Sequence, residues 1–147
     1  MNGLLILINL SATLIMVGVI WVVQIVHYPL FNQVGADSFV RYHAAHSSLI
    51  TLVVGPTMVV EAVTTALLLF YRPPHLSGLI LWIGAVLLAL IWLSTGFVQV
   101  AQHTILGAGF DADVHRLLVT TNWIRTLAWS LRGLLMLWVV KGMLMIA

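Results

Sequence analysis

Apolar residues fill four long runs of the chain, Leu4 to Val26, Leu49 to Phe70, Leu79 to Val100 and about Leu117 to Met145, with short polar breaks between them. Each run reaches the roughly 20 helical residues needed to cross a hydrocarbon core of about 30 Å. The pattern predicts an all-α protein, a four-transmembrane-helix bundle running up-down-up-down. It forms a single integral membrane domain over 1–147, with spans near 4–27, 47–71, 78–102 and 117–143. The first run has neither a basic leading region nor a small-residue cleavage site, so it is expected to remain as the first span.

The breaks carry their own signals. Tyr71-Arg72-Pro73-Pro74-His75-Leu76-Ser77-Gly78 reads as a tight turn, because adjacent prolines cannot continue a helix. Asp37 is placed to cap a second helix over 37–71, and Asp111 to cap a fourth that runs inward through His115. Pro56 is expected to bend the second helix.

Four spans put both termini on one membrane face, side A, with Arg72, His75 and Lys141. His27, His43, His46, His103 and His115 fall on the opposite face, side B. At about 1.5 Å of rise per residue, His27, His46 and His103 come out roughly 37 to 42 Å along their helices, so three spans deliver an imidazole at one depth. His43 and His46, at i and i+3, share a helix face, with His43 at the rim of the group. His75 and His115 are expected to be solvated and without a role.

Composition narrows the chemistry. A chain of 147 residues that is 62% hydrophobic and 7% charged, with mean hydropathy +1.12, is no soluble domain, and the lipid bilayer is its first partner. The absence of cysteine excludes disulfides, iron–sulfur clusters, thiolate metal sites and covalent c-type haem. The net charge of +2 forms no polybasic run, so nucleic acid is not expected as a partner. His27, His46, His103 and His43 are therefore the candidate metal ligands. Neutral imidazoles suit zinc, copper or iron, and two on opposite helices suit a b-type haem.

Polar residues inside the spans need partners. Glu61 lies eleven residues above Arg72 and Arg132 nine above Lys141, which predicts a buried ion pair, Glu61–Arg132. Its plainer role is to lock the second and fourth helices in register; the functional alternative is a carboxylate that handles protons or substrate. Asn122, Arg125, Trp129 and Arg132 form one helical stripe, Thr95, Gln99, Gln102 and His103 another, and Gln24 and His27 a third. Together they outline a polar cavity open to side B, with Gln99, Asn122 and Arg125 as candidate ligand-binding residues. Taken singly, each amide or hydroxyl is as well explained as an inter-helix hydrogen bond. Trp82, Trp123 and Trp138 are placed for interfacial belts, and Trp21, Trp92 and Trp129 lie deeper.

Val26-His27-Tyr28-Pro29 at the end of the first span, and Asn122-Trp123-Ile124-Arg125-Thr126 after a Gly109-Phe110-Asp111 turn, resemble a family of small four-helix bacterial membrane proteins, mostly of unknown function. That family is distantly similar to anthrone-oxygenase-like proteins, and the resemblance spans most of the chain. It implies a bacterial inner-membrane setting, a role for His27, Asn122 and Arg125, and, from a few members, oxidation of an aromatic polyketide-like substrate. His43 and His46 have no counterpart in its pattern. The loops balance Arg72 and Lys141 against Arg41 and Arg116, and cytoplasmic termini are the orientation adopted. Two function classes follow. One is an oxidoreductase or oxygenase-like protein whose cavity takes a metal, a haem, or an apolar ring substrate or quinone. The other is a non-catalytic structural or cofactor-holding subunit, packed as a homo-oligomer or against partners in a membrane complex.

Overall fold

The computed structural model describes residues 2–74 and 76–145, so His75 lies outside the described residues. Helix α1 (Asn2–Val22) runs on into a π-helical turn (Val23–His27) and, after Tyr28, a 3-10 turn (Pro29–Gln33). Helix α2 (Ala36–Phe70) is continuous through Pro56. Helix α3 (Gly78–Leu93) continues through a second π-helical turn (Ser94–Gln99) into α4 (Val100–Ala108), and α5 is Ala112–Leu144. These make four helices long and apolar enough to cross a membrane, Gly3–Gln33, Ala36–Phe70, Gly78–Ala108 and Ala112–Leu144. The protein is an all-α bundle of four such helices, with no strand among the described residues.

Helix ends follow local chemistry in one case and not in the other. Asp111 Oδ1 accepts from the amides of Asp113 and Val114, both at 2.9 Å, satisfying two donors that the first turn of α5 leaves free. Asp37 does not cap α2. Gly35 stands at that position, no side chain makes the cap bond, and Asp37 falls in the first turn, where its charge complements the helix dipole.

Helix α1 packs against α2 and α5, α3 against α5, and α2 against α3 and α4, so the spans occupy a square in chain order. Near side A the square is filled by Ile6, Leu68, Leu76, Leu81, Met136 and Val139. Toward side B a larger apolar group includes Met16, Ile20, Phe31, Phe39, Met58, Leu118 and Trp129.

A polar layer separates the two. Arg132 donates from Nε to Glu61 Oε1 at 2.7 Å, from Nη2 to Asn9 Oδ1 at 3.1 Å and to Thr65 Oγ1, and from Nη1 to the Gly84 carbonyl. Glu61 also accepts from Thr13 Oγ1 at 2.7 Å and from Trp129 Nε1 at 3.0 Å. All four spans contribute to this one knot, and both charged side chains are 1% exposed or less. Its hydrogen bonds are nearly saturated, which suits a registration device.

Glycine sets the closest helix approach. A Cβ on buried Gly133 would meet Val17 Cγ2 at 3.1 Å, whereas around Gly142 there is open space. Gly133→Leu is expected to push α1 from α5 and to cost at least the 1–3 kcal/mol, roughly, of core overpacking. Gly142→Leu is expected to be neutral, and thermal unfolding of the two variants in detergent compares them directly.

Candidate functional site

Both π-helical turns sit at the same end of the bundle, and both carry site residues. In the first, the Tyr28 amide reaches the Val23 carbonyl at 2.9 Å, five residues back; in the second, the Val100 amide reaches Thr95. The extra residue in each turn keeps an inward face that steps by four twice, Ile20-Gln24-Tyr28 and Ile91-Thr95-Gln99, where an α-helix would drift off the core. Such π turns recur at functional sites in helices. Here they bring Gln24, His27 and Tyr28 opposite Gln99 and His103.

Arg125 is the anchor of the cluster. It is 6% exposed and donates from Nε to Asn122 Oδ1 at 3.0 Å, and from Nη2 to Tyr28 Oη at 3.2 Å, to Gln99 Oε1 at 3.4 Å and again to Asn122. Asn122 in turn donates to Gln24 Oε1 at 2.8 Å, and Gln24 donates to the Val119 carbonyl at 3.1 Å. Gln99 donates to Thr121 Oγ1 at 3.0 Å. Every acceptor around Arg125 is neutral. Among the described residues no carboxylate pairs with it, in contrast to Arg132 with its Glu61.

The imidazoles continue the network outward. A guanidinium only donates, so Tyr28 Oη accepts from Arg125 and gives its own proton to His103 Nε2, at 2.8 Å. His103 is then protonated on Nδ1 and donates to His43 Nε2 at 2.9 Å, leaving the His43 proton on Nδ1. That nitrogen lies beside exposed Gly107, whose Cβ, if it had one, would stand 3.9 Å away. Arg125, Tyr28, His103 and His43 thus form one directed chain of donors toward side B. His27 and His46 pair separately, Nε2 to Nδ1 at 2.7 Å, and His46 Nε2 is buried without a partner.

All the sequence-nominated residues at this end, His27, His43, His46, His103, Gln99, Asn122 and Arg125, come together, whereas Glu61 and Arg132 form the separate layer below. His115 corrects the expectation of a solvated surface group. It is 8% exposed, bonds the Tyr28 carbonyl at 2.7 Å and stacks on Phe31, because in the first turn of α5, which starts at Ala112 behind the Asp111 cap, this position faces inward. Tyr28 and Phe31 were not nominated. Phe31, fully buried, is edge-on to His27, His43, His46 and His103 at centroid distances of 5.4, 5.8, 5.1 and 6.5 Å. Their signal was the aromatic residue adjacent to His27 and the one four positions after it.

Below the cluster opens a cavity of about 580 Å³, within the range of roughly 300–1,000 Å³ common for small-molecule sites. Tyr28, His43, His103, Gln99 and Arg125 line its polar end; Met16, Met58, Trp92 and Trp129 line the apolar remainder. Trp129 separates it from Glu61, to which its indole nitrogen is bonded. No family model, curated protein or solved structure matches the chain. The family resemblance therefore rests on its two short motifs, and the chemistry on this geometry.

The geometry bears on the metal and haem expectations. Among the described residues no three His, Asp or Glu side chains converge as a metal site. The nitrogen pairs at 2.7 and 2.9 Å are proton-sharing contacts. A tetrahedral ion with bonds of about 2.0–2.1 Å would hold its nitrogens about 3.3 Å apart and needs the same lone pairs. A metal or a porphyrin fits only if these pairs open.

Proposed function

We propose that the protein is a membrane-embedded binding protein for an apolar ring molecule bearing an electron-rich oxygen, a quinone or its hydroxylated relative, in an oxidoreductase or oxygenase-like role. One observation carries this reading: Arg125 is a buried cation at the polar end of a cavity and has only neutral partners. A cation held at such a position is costly without a compensating acceptor, and a ring carbonyl or phenolate oxygen supplies one. Tyr28 and His103 then stand where a proton can be given to, or taken from, that oxygen. Trp92 and Trp129 offer faces for the ring. The setting proposed with it is a bacterial inner membrane, on the resemblance of the motifs, with the termini cytoplasmic.

The metal reading has one observation in its favour, the unpartnered Nε2 of His46. Both readings are tested on one preparation of the purified protein. Titration with 2-methyl-1,4-naphthoquinone is expected to quench the fluorescence of Trp92 and Trp129 saturably, with the quenching reduced in Trp92→Phe. Stoichiometric zinc, copper or iron in the same protein, with no saturable quenching, would replace the ring reading by the metal one.

A further inference from the structure

The cavity has a mouth on the side of the bundle. Its wall is formed on one side by Ala44, Thr51 and Gly55 of α2, and on the other by Trp92 of α3 and Val100 and Thr104 of α4. Ala44, Thr51, Val100 and Thr104 also lie on the exposed outer surface of the bundle, and Trp92 is 43% exposed. The cavity is therefore open sideways, through the seam between the second and third spans. Gly55 leaves this seam wide, since a Cβ there would touch only Thr51 Cγ2, at 3.8 Å.

Depth decides what the slot faces. A hydrocarbon core needs about 20 helical residues, and the apolar run of the second span supplies them from Leu49 to Phe70. The opening from Ala44 to Gly55 then starts at the side B interface and reaches, at Thr51 and Gly55, the acyl chains of that leaflet. A molecule entering there comes from lipid, and one whose head reaches Arg125 leaves the rest of its length in an apolar slot continuous with the bilayer.

We infer that the ligand is a tailed, bilayer-resident quinone that enters laterally between α2 and α3–α4, head toward Arg125, with its isoprenoid or alkyl tail lying in the Gly55 slot. This rests on the ring-binding reading and adds the tail and the route. Aromatic walls at Trp92 and Trp129, and a single cationic anchor rather than a cluster for a phosphodiester, favour a ring head over a phospholipid.

The test compares a decyl-tailed benzoquinone with the same ring lacking the tail, by saturable tryptophan quenching in detergent, on the wild-type chain and on Gly55→Phe and Thr104→Trp, which fill the slot from opposite walls. The expected result is at least tenfold tighter binding of the tailed quinone to wild type. Both variants should lose most of that gain while binding the tailless ring as before. Partition of the tail into detergent affects all three proteins alike and leaves their comparison intact. Equal affinities for the two quinones, or a tail-dependent gain untouched by both variants, would overturn the lateral route while the ring site stands. Failure of both quinones to bind wild type would remove the ring site and the route together. A phospholipid recovered at one per chain from the delipidated protein, and not displaced by the tailed quinone, would overturn the choice of ligand.

Discussion

Glu61→Leu is expected to be the most destabilising single substitution in the chain. It strands Arg132, 1% exposed, with a charge that has no counter-ion, and it removes the acceptor of Thr13 and of the Trp129 indole. Breaking one side of a buried pair costs about 3–5 kcal/mol, because the remaining charge is left desolvated. Arg132→Met should cost a similar amount by stranding the carboxylate. The double variant Glu61→Leu/Arg132→Met should recover a large part of either loss, though not all, since Asn9, Thr13 and Thr65 keep polar atoms in the layer. Glu61→Gln, which still accepts from Arg132 Nε, should fall between. A double-mutant cycle on thermal or denaturant unfolding in detergent measures the coupling. If the double variant is no more stable than Glu61→Leu alone, the knot is not a charge pair in energetic terms.

The second large effect is on ligand rather than fold. Arg125→Met is expected to weaken binding of the naphthoquinone ring by about 10- to 100-fold, the range of one charge-assisted hydrogen bond worth about 1.5–3 kcal/mol. Arg125→Lys should recover part of this, since it keeps the charge but lacks the fork that reaches Asn122, Tyr28 and Gln99 together. The fold should suffer less than from Glu61→Leu, because Arg125 leaves behind only neutral acceptors. Unchanged affinity in Arg125→Met, with the protein still monodisperse, would remove Arg125 from the site.

The spans were legible because a bilayer imposes one length and one polarity on every crossing helix, and the Glu61–Arg132 contact because charge in that medium has few partners to choose from. The cap at Asp111 followed from side-chain chemistry. Asp37 failed as a cap because Gly35 lets the helix begin one residue earlier, without a side-chain bond. Depth counting gathered His27, His46 and His103 from a uniform rise per residue, which says nothing of facing, and facing follows a period of 3.6 only in a regular α-helix. The π turns break that period, and only the successive steps of four at Ile20-Gln24-Tyr28 and Ile91-Thr95-Gln99 record them. Tyr28 and Phe31 lie beyond the end of the first apolar run at Val26, yet a chain leaving a π turn can remain inside the bundle. His115 lies before the last apolar run, and neither that run nor the Asp111 cap records that its side chain turns inward onto Phe31 and the Tyr28 carbonyl.

The apolar plug of Ile6, Leu68, Leu81, Met136 and Val139 gives the molecule a direction. Tyr28, His103 and His43 lead from the cavity to side B, and on the other side the Glu61 knot is followed, among the described residues, by that plug. The bundle is thus a blind well rather than a conduit. On the proposed reading, a proton released or taken up by a ring held at Arg125 is exchanged with side B, so the acidity of that one compartment enters the balance of the reaction.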